Sequence, residues 1–157
     1  MIAIQDYMQF ISELTAAAAR RADVNSYTVR LAITESQLIN LLKDQTGIVV
    51  CGSIPGARLS DSGNGYWHSR GECLLMVLEK MPKDKQGTTE ETERLARLQR
   101  FMANIAHLLA NDMETFCDRE AVDGSQPMNI EWEYNQYGGF NGLSILFHLA
   151  DNRGPWM

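Results

Sequence analysis

The residues with the most chemical potential lie between Gly52 and Gly71, where His68 sits in the same short stretch as Asp61, Arg70 and Cys73. A histidine beside a carboxylate and a thiol is the company in which an imidazole acts as a general base or takes a metal ion. The spacing matches no metal-ligand pattern, and a partly exposed loop histidine explains the same residues. Just before them, Gly52-Ser53-Ile54-Pro55-Gly56 follows an extended apolar run, as phosphate-binding loops do. No helix pattern opens behind it and no Lys-Ser or Lys-Thr pair closes it, so its amides lack a helix dipole to reinforce them. A strand-to-loop turn accounts for these glycines.

Elsewhere the chemical candidates are sparse. Glu131 and Glu133 alternate with Ile130, Trp132 and Tyr134, so on a strand their Cβ atoms stand about 7 Å apart, a separation at which two carboxylates can share acid and base work. A solvated strand face gives the same alternation. His107 falls on a helical stretch as a residue at the edge of the core, and His148 on the polar side of a strand as a cross-strand partner. No nucleophile, base and orienting group converge in the way an active site requires, and no residue set calls for a cofactor or a metal.

Tyr66-Trp67 is a sharper signal. Two adjacent large aromatics in a Gly-rich segment leave apolar surface exposed unless the segment folds back or a partner covers it. With Arg58 and Arg70 they form the residue mixture that dominates protein interfaces. Packing on the chain's own core is the competing reading, and Trp156 poses the same question.

The elements that must hold these residues follow from periodicity. Ile4, Tyr7, Met8, Ile11, Leu14 and Ala18 form a helical stripe ending near Ala22, with Arg20 and Arg21 at the negative end of the dipole. An extended stretch from Asn25 to Ile33 is followed by Thr34, an N-cap completed by Gln37, and a short helix from Glu35 to Lys43 with Leu38, Ile39, Leu41 and Leu42 as its apolar side. Gly47 opens a strand from Ile48 to Cys51. The segment from Gly52 to Gly71 reads as one long, mobile loop. Cys73 to Leu78, apolar at every position, reads as the centre of a strand from Glu72 to Lys80 that is covered on both faces.

Thr88 with Glu91 caps a long helix carrying Leu95, Leu98, Met102, Ile105 and Leu109, with expected ion pairs from Glu90 to Arg94 and from Glu93 to Arg97, and an extension towards Cys117. A hairpin closes the pattern. Ile130, Trp132 and Tyr134 lie on one face of its first strand, Gly138-Gly139 forms its turn, and Leu143, Ile145, Phe147 and Leu149 face one side of the return strand. Residues 152–157 read as a short tail. Together these elements predict one α+β domain over residues 1–157, with an antiparallel sheet of about four strands packed against one long amphipathic helix and helical N-terminal segments.

Composition narrows the partners. At 157 residues with 45% hydrophobic and 22% charged residues, the chain can bury roughly 70% of its unfolded surface and needs neither metal nor disulfide to fold. A net charge of −6 and dispersed basic residues disfavour nucleic acid and anionic membranes. No cationic leader opens the chain and no apolar run approaches the roughly 20 residues of a membrane helix. Cys51, Cys73 and Cys117 are odd in number and lack a C-x-x-C pair, which fits reduced thiols in a cytoplasm.

The order of elements from Glu35 to Leu149, a helix, a strand, a long loop, a central strand, one long amphipathic helix and a final hairpin, resembles the tail-terminator and neck proteins of tailed phages. That resemblance covers about three quarters of the chain, rests on element order, and implies a ring-forming subunit and a virion component. Two function classes are therefore expected. The first is a non-catalytic structural or interaction protein that self-associates or binds a protein partner, anchored by Tyr66, Trp67, Arg70 and Arg58. The second is a small enzyme or ligand-binding domain whose site uses His68 and Asp61.

Overall fold

The structure, a computed structural model, describes residues 2–61, 63, 65–111 and 120–151. Cys117, Trp156, the extension of the long helix towards Cys117 and the tail lie outside the described residues. Three helices, α1 (Ile4–Arg21), α2 (Glu35–Leu42) and α3 (Thr89–Asn111), surround seven strands: β1 (Thr28–Ala32), β2 (Ile48–Ser53), β3 (Arg58–Asp61), β4 (Trp67–Lys80), β5 (Glu120–Val122), β6 (Asn129–Gln136) and β7 (Phe140–Asp151). The fold is α+β with a mostly antiparallel sheet. Its strand count exceeds the expected four because the expected long loop contains β3, the extended stretch after α1 pairs as β1, and β5 adds a short strand against β7.

β4 is the axis of the sheet. It pairs antiparallel with β7 from Ser69 to Lys80 on one side, and with β2 and β3 on the other. β1 adds in parallel outside β2, while β6 and β5 pair with different parts of β7. The continuous apolar run is explained by cover on both faces. Cys73, Leu75 and Val77 join α1 and α3 in the larger core, whereas Met76 and Leu78 join α2, Val49, Cys51 and Phe140 in a second core on the opposite face. Two strand glycines are required here: a Cβ on Gly52 would lie 2.1 Å from the Leu74 carbonyl oxygen, and one on Gly142 would lie 2.0 Å from that of Val77. Gly52 is thus a buried strand residue dictated by its neighbour, which answers the phosphate-loop reading.

The helices are placed by their caps and stripes. Thr34 Oγ1 accepts from the Gln37 amide at 3.2 Å and Gln37 Oε1 from the Ile33 amide at 2.9 Å, while Thr88 Oγ1 accepts from the Glu91 amide at 3.3 Å. On α3, Leu98, Phe101, Met102, Ile105, Leu108 and Leu109 are buried, each contributing about 1.5–3 kcal/mol of transfer free energy. On α1 the buried stripe is Tyr7, Phe10, Ile11, Leu14 and Ala18, rotated from the expected one. Ile4 and Met8 stay half exposed, because packing against α3 and the sheet selects one of two overlapping apolar faces. On α2 only Leu38 and Leu42 are buried, since a helix of two turns at the sheet margin covers a narrow strip.

The expected Glu93 to Arg97 pair is replaced by a tertiary one. Arg97 Nη2 lies 3.2 Å from Glu79 Oε2 and Arg94 Nη1 lies 3.5 Å from Glu79 Oε1; Glu90 holds Arg94 at 3.0 Å as expected. Glu79 is buried on β4, so the two guanidiniums clamp α3 to the central strand. Glu79→Ala should lower stability by about 1–2 kcal/mol in urea unfolding, less than a fully buried pair because both arginines reach solvent. Ile105→Asp should abolish cooperative unfolding altogether, because it buries an unpaired charge in the larger core.

Candidate functional site

The chemically suspect segment folds as a hairpin. β3 and the start of β4 pair with Arg58 opposite Arg70, Ser60 opposite His68 and Asp61 opposite Trp67. Cross-strand partners share a face, so His68 and Asp61 fall on opposite faces and form no joint site. Asp61 Oδ1 instead accepts from the Gly63 amide at 3.0 Å, a side-chain turn at the hairpin tip. Cys73 is likewise separated from His68 by strand alternation: it is buried in the larger core, and His68 is exposed on the other face.

Tyr66 and Trp67 are 72% and 46% exposed, so they do not pack into the core. Arg58 and Arg70 enter a polar cleft of about 400 Å³ with Ser60, Glu72, Gln126 and His148. Two of its residues meet polar partners on neighbouring strands and turns. Arg70 Nε lies 3.3 Å from Asp123 Oδ2, and His148 Nε2 lies 3.5 Å from Glu72 Oε2, its direct cross-strand partner. Ser125 donates to Asp123 from both its hydroxyl and its amide; these bonds, with the nearby charge of Arg70, hold the Asp123 carboxyl below its ordinary value against the opposing effect of burial. The cleft offers guanidinium, hydroxyl and amide donors for an anionic or polar group. Cys51 lies away from the cleft in the second core, where burial pushes its thiol up to about 12.

The remaining acidic and histidine candidates have structural partners. Glu133 accepts from the Ser144 hydroxyl at 2.7 Å and from Gln136 at 3.2 Å, as a solvated strand face does. His107 is exposed, with the Asn111 amide 3.4 Å from its Nδ1. Among the described residues no three His, Cys, Asp or Glu side chains gather as a metal site, and no helix is long and apolar enough to cross a membrane.

A further uncovered apolar feature lies on β6. Ile130 and Trp132 lie opposite Ile145 and Leu143 on the face that carries α1 and α3, and Tyr134 follows them just before a bulge, yet the three are 45%, 56% and 59% exposed. α3 lies over β4 and β7, and β6, the next strand out, extends beyond its cover. No family model matches the chain, and no curated protein matches it.

Asp123 offers a check on the cleft. Because its folded carboxyl titrates below the ordinary 3.8, the stability it contributes is full above that pH and is lost as pH falls through the lower folded value. Asp123→Asn should therefore destabilise at neutral pH, with the gap to the parent closing under acid. A gap that persists in acid would show that the carboxylate charge is not what holds this corner.

Proposed function

We propose that this protein is a non-catalytic structural or interaction protein that works by self-association. The observation that carries the reading is β6, an edge strand whose uncovered face bears Ile130, Trp132 and Tyr134. Adjacent large apolar side chains on a free edge are a liability in a monomer, and proteins ordinarily blunt such edges with charge, proline or a covering element. A protein partner spares that cost. Tyr66, Trp67, Arg58 and Arg70 on the hairpin supply a further interface-type surface, and the element order supports a phage-like tail or neck assembly as the specific setting.

The polar cleft favours a second reading, a small-ligand site using Arg58, Arg70 and His148. The two separate experimentally: a stabilising anionic metabolite in a thermal-shift screen would favour the ligand site, and a mass above the monomer would favour assembly. For the assembly reading, Trp132→Ser with Tyr134→Ser should weaken self-association by at least about tenfold while leaving the melting temperature near the parent's. A protein that stays monomeric at high concentration would overturn the reading.

A further inference from the structure

The two lateral edges of the sheet, compared row by row, are complementary. Hydrogen-bonded register carries Arg30 of β1 through Cys51, Met76 and Ser144 to Glu131 of β6. The same path carries Leu31 to Ile130, Val29 to Trp132 and Thr28 to Glu133. Thus one row ends in a cation on one edge and a carboxylate on the other, and the rows flanking it end in apolar residues on both edges. Those apolar ends all lie on the face that carries α1 and α3.

Strand direction agrees. β2 and β7 both run against β4, β1 runs with β2, and β6 runs against β7, so β1 and β6 are antiparallel. A second copy displaced sideways would bring its β1 against β6 in the favoured antiparallel sense with the helical faces on the same side. Neither edge has another strand partner among the described residues. Arg30 is half-buried, and its guanidinium Nη1 donates to the adjacent Val29 carbonyl at 3.0 Å, with no described carboxylate in ion-pair range.

We infer that β6 of one copy pairs with β1 of a second copy, extending the sheet head to tail with Arg30 opposite Glu131 and with Leu31 and Val29 against Ile130 and Trp132. This inference rests on the self-association reading and names its interface. Symmetric pairing of β6 is opposed by charge, because its central antiparallel registers set Glu131 or Glu133 against a carboxylate of the other copy, and pairing β1 with β1 centred on Arg30 sets two guanidiniums together. A head-to-tail contact uses two different surfaces, so it propagates into a closed ring or an open filament.

The test is a charge exchange across the edges, read as mass against concentration, with thermal melts confirming that each variant is folded. Arg30→Glu alone and Glu131→Arg alone should each raise the dissociation constant by at least about tenfold. Placing both changes in one chain should restore assembly, because every β1–β6 contact then joins opposite charges, and mixing the two variants in equal amounts should restore contacts between unlike variants. If the parent associates and neither single change weakens it, the β1–β6 pairing is wrong while self-association stands. Weakening without rescue in the chain carrying both changes would likewise overturn direct pairing. A parent that remains monomeric overturns the self-association reading, and this interface with it.

Discussion

A strand that is apolar on both faces cannot stand at a surface, and β4 imposes that condition on everything around it. Cys73, Leu75 and Val77 need cover on one side and Met76 and Leu78 on the other, so the chain has to build two layers of helix, one on each face of one sheet. The larger layer comes from α1 and α3. The smaller comes from α2, whose two buried leucines suffice because the second core is narrow. The close approaches at Gly52 and Gly142 belong to the same constraint: both lie on the strands that flank β4, where its carbonyls leave no room for a Cβ.

Polar interactions then orient what burial alone would leave free to slide. The Glu79 carboxylate, buried on β4 between Arg94 and Arg97 of α3, sets the helix at one position along the strand. Hydrophobic contact is not directional, whereas a carboxylate held by two guanidiniums is. At the other end of β4, where the helices give out, the strand turns polar and its residues meet in the Arg58, Arg70, Asp123 and His148 cluster. The cluster closes the open face near the hairpin while leaving Tyr66 and Trp67 in solvent.

The same economy explains where apolar surface is left over. Two helices cover the strands nearest β4, and β6 on the β7 side lies beyond their main cover. Its alternation is that of a core strand, but its position is that of a rim. One row ends in Arg30 on the β1 rim and in Glu131 on the β6 rim, which is the complementarity that the proposed pairing of copies would use.

Most of the fold was legible in the sequence because it rests on local rules. The caps at Thr34 and Thr88, the α3 stripe, the two-faced β4 and the Gly138-Gly139 hairpin each follow from periodicity or turn chemistry within a few residues. What failed depended on neighbours distant in sequence. Gly52 to Gly71 was taken for a loop because β3 has no buried face to impose alternation, and only pairing with β4 makes it a strand. Phe10 rather than Met8 is buried because the partner helix selects the face of α1. Arg97 turns to Glu79 because a buried carboxylate across the interface outweighs an exposed one a turn away. The candidate site shows the same division. Exposure of Tyr66 and Trp67 was among the outcomes their setting allowed, whereas the separation of His68 from Asp61 and the exposure of Ile130, Trp132 and Tyr134 were not legible. Alternation states which residues share a face; whether that face meets a helix or solvent is decided by where the strand lies in the assembled sheet.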